Sequence, residues 1–517
     1  MTRFVMVWGT SSGAGKSWLA TALCRWAARQ GAVVRPYKAQ NMSNNARVVE
    51  GPDGPRGEGG EIGTAQWAQA LAARVRPTVD MNPVLLKPER DTASQVVLQG
   101  RVDRALSRQG WRERAPALAA AARASLMRVA QGADLVVMEG AGSPAEINLA
   151  DVDLPNLHAA RWARELGDLH GLLVADIDRG GAFAHLFGTW RLLPDDLRPA
   201  LRGHVLNRFR GDAALLAPGP AQLQRLTGVP VVGVVPMLRD PGVPDEDGWF
   251  DAAPRVAGQA GPTASVLRAG APRRIAIVAG PHLSNLDEFA PLRRLPGVQV
   301  TWARHPHDLR DADWVILPGS KQVSGDLAWL RATGLDDAIA RHAAAGRPVL
   351  GICGGLQMLG EALVDPDGHD GEPGVNGPGL GLLPLVTRYE ATKRVRAGTM
   401  RFAPMDEGGL APSGSPWAPW SGLAVDGYEI RCGVTVPHPA MAAPHVALRD
   451  AAGHAIGWRA GAVLGVYAHG LFECDAALRA MFGAGVPTLD EDLDRVADVL
   501  DAHLDGAWLR RTLLGER

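Results

Sequence analysis

The 517-residue chain lacks an excess of charge of either sign, with 54 Lys and Arg against 55 Asp and Glu and a net charge of −1. No long single-sign block occurs, which argues against a nucleic-acid footprint and against a polybasic membrane anchor. Cysteine is scarce: the four residues, at 24, 353, 432 and 474, show no C-x-x-C spacing and no histidine cluster of the kind zinc takes. A reduced protein without a disulfide framework is therefore expected. Long apolar runs are missing too. Nothing approaches the ~18 residues of a membrane span, and the apolar start from Phe4 to Trp8 is too short for a signal-peptide core. These absences point to a soluble, cytoplasmic protein with small molecules or protein as partners, no nucleic acid and no membrane, and they leave homo-oligomer formation open. Lysine occurs only at 16, 38, 87, 321 and 393, and Lys16 sits inside a motif.

At this length a single core is exceeded, and two domains are expected. Both read as α/β. In the second half, Val349 to Gly360 is an apolar run that breaks at Cys353 and restarts with helical spacing. It reads as strand, sharp turn and helix, with Gly351, Gly354 and Gly355 suiting a turn too tight for a Cβ. Such a turn lifts the sulfur above a parallel sheet at a helix N-terminus, where a thiolate is favoured, so Cys353 is a candidate nucleophile rather than a buried structural thiol.

In the first half, the strand Arg3 to Trp8 runs into Gly9-Thr10-Ser11-Ser12-Gly13-Ala14-Gly15-Lys16-Ser17 and then a helical pattern. Backbone N–H groups of such a loop cradle phosphate oxygens, Lys16 reaches the β and γ phosphates of ATP, and the Ser17 hydroxyl can hold Mg²⁺. The first glycine falls one position early for G-x-x-x-x-G-K-[ST]. Further strands are expected at 32–37, 135–138, 172–175, 203–206 and 231–235, alternating with helices around a parallel sheet whose carboxyl ends collect ligands. Polar segments fall at those ends: Lys38-Ala39-Gln40-Asn41, Glu139 to Pro144, and Asp176-Ile177-Asp178-Arg179. Glu139 is a candidate Mg²⁺ ligand beside Ser17. Asp176 and Asp178 suit a metal, a substrate or a turn, Arg179 suits a negative group, and Asn207 suits an adenine edge.

The Pro- and Gly-rich stretch 239–272 reads as a linker between an ATP-dependent domain at 1–238 and a second domain at 273–484, with a helical segment at 485–517. Leu317-Pro318-Gly319-Ser320-Lys321 ends a strand where backbone N–H groups can face an oxyanion beside the nucleophile, with Gly354 as the other donor. His469, at the end of the apolar strand 463–468, is the candidate base. Tyr428 and Glu429 offer a phenol and an acid to a ligand, while 365–379 and 404–422 read as surface excursions.

The long phosphate loop resembles that of dethiobiotin synthetase-like ATPases, and the strand-Cys-helix half resembles class I glutamine amidotransferases. Across nearly the whole chain the sequence resembles the cobyric acid synthase family of cobalamin biosynthesis. The resemblance is carried by Lys38 to Ser43, Met81 to Pro88, Glu139 to Asn148, Asp176 to Gly181, Leu317 to Lys321, Gly351 to Leu359 and Tyr428 to Ile430. It implies amidation of peripheral carboxylates of the corrinoid adenosylcobyrinic acid a,c-diamide, with ATP, Mg²⁺ and L-glutamine. It also implies Cys353 as glutaminase nucleophile, His469 as base, Gly9 to Ser17 as the ATP loop and Glu139 as metal-binding acid. One departure from the wider amidotransferase class is that Leu471 stands where full triads carry glutamate, two residues beyond the histidine. The orienting carboxylate is therefore expected to be missing, with Glu473 the nearby substitute. The competing readings are a CTP synthase-like or cobyrinic acid a,c-diamide synthase-like amidoligase, and a non-catalytic P-loop binding protein.

Overall fold

A computed structural model of the chain describes residues 2–51, 58–90, 93–244, 273–370, 376–405 and 415–516. The chain divides into two units, one of Met1–Gly248 with Pro487–Arg517 and the other of Trp249–Val486. Beyond residue 244, the linker expected at 239–272 lies outside the described residues.

The first unit is built on a parallel six-stranded sheet in the order Val231–Pro236, Leu201–Phe209, Asp168–Asp176, Arg3–Gly9, Leu135–Glu139, Val34–Tyr37. Period-two alternation along Arg3–Gly9 supplies both apolar layers, because Phe4, Met6 and Trp8 enter one cluster while Val5 and Val7 enter the other. Register brings Gly9 beside Val174, Val7 beside Glu139 and Asp176 beside Asn207. The P-loop and the polar strand ends therefore share the carboxyl edge of one sheet. After Tyr37 the chain leaves this sheet for a smaller one of four strands, in which Gln40–Met42 pairs with Val84–Arg90.

The C-terminal segment, expected as a separate helix, belongs to this first unit. Helix Leu489–His503 lies against the P-loop helix Lys16–Arg29 through a ladder of charges. Arg25 pairs with Asp490 at 2.7 Å and Asp494 at 2.8 Å, Trp26 donates to Asp501 at 2.7 Å, and Arg29 pairs with Asp498 at 2.6 Å. The near four-residue spacing of these acids puts them on one helical face.

In the second unit an eleven-stranded sheet begins as a parallel run, Val298–Ala303, Arg273–Val278, Trp314–Leu317, Val349–Ile352, Val463–Val466. It continues through antiparallel strands to a long hairpin of Leu385–Phe402 and Ala424–Pro437. The 404–422 stretch is not simply a surface excursion. Trp417 and Trp420 are fully buried, with Trp417 4.9 Å from the Trp314 ring and their indole N–H groups donating to Ala462 and Ala477. In the 365–379 stretch, Asp365 and Asp370 are buried, and Asp370 accepts the backbone N–H groups of Val323 and Ser324 at the start of helix Val323–Thr333.

Strand Val349–Ile352 turns at Cys353 into helix Gly354–Leu359, with Cys353 at φ 52° and ψ −105°. A non-glycine residue there is strained, and the surroundings hold it in place. A Cβ on Gly355 would lie 1.9 Å from the Leu317 carbonyl oxygen, and one on Gly354 would lie 2.6 Å from the Ser320 nitrogen. The turn can approach the neighbouring strand end only without side chains. Gly355→Ala is accordingly expected to destabilise this unit by about 1–3 kcal/mol or more. Gly188→Ala, in open space on helix Ala182–Leu192, should raise stability by about 0.5–1 kcal/mol. Thermal and denaturant unfolding of the two variants tests the contrast, and unchanged stability in Gly355→Ala would refute the packing argument.

Candidate active sites

The turn at Cys353 is the first of two sites. Cys353 is only 7% exposed; its N–H donates to the Val466 carbonyl at 2.8 Å, and its sulfur lies 3.4 Å from the Ile430 carbonyl oxygen. Three residues past Val466 on the neighbouring parallel strand comes His469, whose ring is electrostatically coupled to the Cys353 side chain. His469 exchanges both backbone hydrogen bonds with Tyr428, and the two rings stack at 5.2 Å. Gly319 comes to the same place, since a Cβ there would sit 3.2 Å from His469 Cε1. The structure thus brings together Cys353, His469, Tyr428 and both expected oxyanion donors, Gly319 and Gly354.

The expectation of a missing carboxylate needs correction. Glu288, on the short 3-10 turn Leu286–Phe289 and 181 residues before the histidine, places Oε1 3.0 Å from His469 Nδ1. Its Oε2 accepts the Gly470 N–H at 3.0 Å, and the residue is fully buried. Leu471 is core, and Glu473 is exposed. Burial pushes the His469 pKa down, but the Glu288 carboxylate and the contact with Cys353 outweigh it and push it up to about 10. The imidazole is therefore held as the cation at neutral pH. No sequence spacing connects residues 288 and 469. The sole local sign was an acidic pair, Asp287-Glu288, between Leu286 and Phe289.

The second site lies at the carboxyl edge of the first unit's sheet. Gly15, at φ 103°, ends the loop at helix Lys16–Arg29, a backbone shape that favours glycine. Lys16 is buried, and its Nζ donates to the carbonyls of Ser11 at 3.0 Å and Gly142 at 3.1 Å. A Cβ on Gly9 would meet the Lys16 side chain at 2.9 Å, and Thr10 donates its N–H to Val174. The Ser17 hydroxyl donates to Glu139 Oε1 at 2.8 Å, and Lys38 Nζ reaches the same oxygen at 2.8 Å. Gln69 donates to Oε2 at 2.5 Å, and Gln66 at 3.4 Å. Burial pushes the Glu139 carboxyl up, yet the Lys38 ammonium and the hydrogen bonds from Gln69 and Ser17 hold it below the usual carboxylate range. Ser17 and Glu139 converge as two hard oxygen donors. Among the described residues no group of three or more His, Cys, Asp or Glu could hold a metal; two hard oxygen donors are of the kind that Mg²⁺ takes.

The remaining residues surround this edge. Asn41 donates to Gln66 at 3.2 Å, one step from Glu139, and Gln40 lies beside Val84 on the smaller sheet. Asn207, expected to face an adenine, donates its amide to the Ala14 carbonyl of the P-loop at 3.0 Å. Asp176 pairs with Arg208 at 2.9 Å and Arg179 at 3.4 Å and accepts the Asp178 N–H, while Asp178 pairs with Arg210. The two aspartates close a turn and carry arginines, and Arg179 Nη2 comes within 3.7 Å of a Cβ placed on Gly13. Gln66 and Gln69 on helix Thr64–Ala72, and Arg208 and Arg210 at a strand end, escaped the sequence reading because amides and arginines carry no pattern of their own.

Residues 274–477 match the CobB/CobQ-like glutamine amidotransferase domain, and residues 5–246 match the CobQ/CobB/MinD/ParA nucleotide binding domain. The cobyric acid synthase of Leptothrix cholodnii is 59% identical over 506 residues, which span 97% of this chain and 95% of that one. That of Methylibium petroleiphilum is 58% identical over 512 residues, 99% and 97% of the two chains. For Paracidovorax citrulli the figures are 55% over 517 residues, 98% of each. With two domain matches and relatives this similar from end to end, the chain belongs to the cobyric acid synthase family.

Proposed function

We propose that the protein amidates peripheral carboxylates of adenosylcobyrinic acid a,c-diamide to give adenosylcobyric acid, using ATP and ammonia drawn from L-glutamine. The observation that carries this reading is the strained Cys353 turn backed by His469 and Glu288, on the same chain as a P-loop whose Ser17 meets a buried Glu139. The first arrangement suits acyl transfer and the second phosphoryl transfer.

At the first site the Cys353 sulfur attacks the glutamine side-chain carbonyl carbon, and N–H groups at Gly319 and Gly354 receive the oxyanion. His469, held as imidazolium by Glu288, gives its proton to the departing nitrogen, and ammonia leaves a glutamyl thioester. The neutral ring then takes a proton from water, whose oxygen attacks the thioester to release glutamate and restore the sulfur. At the second site a corrinoid carboxylate attacks the γ-phosphate of ATP, and ammonia displaces phosphate from the resulting acyl phosphate. Lys16 neutralises phosphate charge, Arg179 stands beside the loop as a further cation, and the Lys38 ammonium and the Gln69 amide hold the Glu139 carboxylate in its charged form. Ser17 and Glu139 would hold Mg²⁺, which would offset phosphate charge.

Cys353→Ala should abolish glutamine-supported amidation while ammonium salts still support it, as read by mass spectrometry of corrinoid products; loss of both would contradict the division of labour. Lys16→Ala should abolish synthesis with either nitrogen source. Glu288→Gln removes the charge that raises the His469 pKa, leaving burial to lower it. The alkaline limb of glutamine hydrolysis, near pH 10 in the parent, should move to lower pH. The rate at neutral pH should fall on the order of 10²–10⁴-fold. A pH–rate profile whose alkaline limb stays in place would remove Glu288 from the mechanism.

A further inference from the structure

Strand Ala424–Pro437 carries an acid and a base on either side of the Ile430 carbonyl that meets the Cys353 sulfur, and the mechanism above uses neither. Glu429 and Arg431 are 3% and 7% exposed, and Arg431 Nε donates to Glu429 Oε2 at 2.9 Å. The guanidinium carbon lies 4.0 Å from the centroid of the Tyr467 ring, and Nη1 donates to the Gly433 carbonyl. The Tyr467 hydroxyl accepts from Gln357 at 3.2 Å, a residue of the helix that follows Cys353. The pair is thus tied to the nucleophile's own helix and to the strand that ends in His469.

An ion pair serving only the fold would gain from closing every polar atom, since burying charge is costly unless hydrogen bonds meet it. This one is left open on one side. Among the described residues nothing meets Glu429 Oε1 or Arg431 Nη2, and neither is among the solvent-sealed atoms that lack a partner. One acceptor and one donor, adjacent and of opposite charge, thus remain on the two residues that flank the Ile430 carbonyl at the Cys353 sulfur.

We propose that Glu429 and Arg431 form the subsite for the amino-acid end of L-glutamine, with Glu429 receiving the α-ammonium and Arg431 the α-carboxylate. A free amino acid carries opposite charges on one carbon, and a net-neutral acid and base side by side match that pattern. A simple anion or cation satisfies only one partner. The proposal rests on the reading of Cys353 as the glutaminase nucleophile and names what positions its substrate.

The test uses the full-length enzyme and three amide donors: L-glutamine, 4-carbamoylbutanoate, which lacks the α-ammonium, and L-glutamine α-amide, which lacks the α-carboxylate. Ammonia release gives kcat/KM for each. The parent should favour L-glutamine over either analogue by about 10- to 100-fold. Glu429→Gln should lose that preference against 4-carbamoylbutanoate alone, through a weaker reaction with glutamine. Arg431→Gln should lose it against the α-amide alone. An equal fall for all donors, or unchanged use of glutamine, overturns the subsite. Ammonium-supported amidation of the corrinoid reports folding, and a variant that lacks it is replaced by Glu429→Asp or Arg431→Lys under the same comparison. Failure of the parent to amidate with ammonium would overturn the corrinoid reading instead, because ammonia release reads the subsite independently.

Discussion

A carboxylate taken out of water must be met by positive charge and by hydrogen-bond donors, and each candidate site is arranged around one that is. Glu139 has Lys38, Ser17 and two glutamines around its oxygens; Glu288 has the His469 ring and the Gly470 N–H. The consequences differ with the partner. Beside an ammonium, Glu139 is kept charged. Histidine titrates near neutrality, so pairing with Glu288 changes its state. The same electrostatic rule thus leaves one site with a buried anion and the other with a buried cation.

The second requirement is close approach of backbone. The Cys353 turn keeps a φ of 52° because glycines beside it let it pack onto the ends of neighbouring strands, and the sulfur lies where helix, strand end and histidine meet. The P-loop uses the same device at Gly9 and Gly15, where Lys16 and Asn207 occupy the space a side chain would need. Asn207 has its amide donor fixed by the Ala14 carbonyl of the loop.

Features written in adjacent residues were legible in the sequence: the parallel strands, the P-loop, the cysteine turn and the strand that ends at His469. Each is a local pattern of apolar period and glycine, and the family resemblance rested on such blocks. What stayed hidden depends on distant pairings. The helix 489–503 looked independent because its acids at 490, 494, 498 and 501 have meaning only against Arg25, Trp26 and Arg29. The 404–422 stretch looked like a loop from its Gly, Ser and Pro, yet two tryptophans in it are buried with their rings against Trp314. Local polarity is a weak guide where a few large rings supply the burial.

The place of the orienting carboxylate shows how one such distant pairing is made dependable. A glutamate two residues past the histidine would be positioned by its own strand end, whereas Glu288 must be positioned by packing. Phe289 supplies it, fully buried with its ring 6.0 Å from Phe472 and edge-on to Trp302 at 6.2 Å. On the other side of the acid, Asn285, at φ 55°, donates to the Tyr428 hydroxyl at 3.0 Å, and Tyr428 stacks on His469. The contacts close a ring from Asn285 through Tyr428 and His469 to Glu288 and back along the 3-10 turn. With Leu471 and Phe472 given over to the core, the residues after the histidine no longer supply the acid but anchor the turn that does. The carboxylate is displaced in sequence and retained in space.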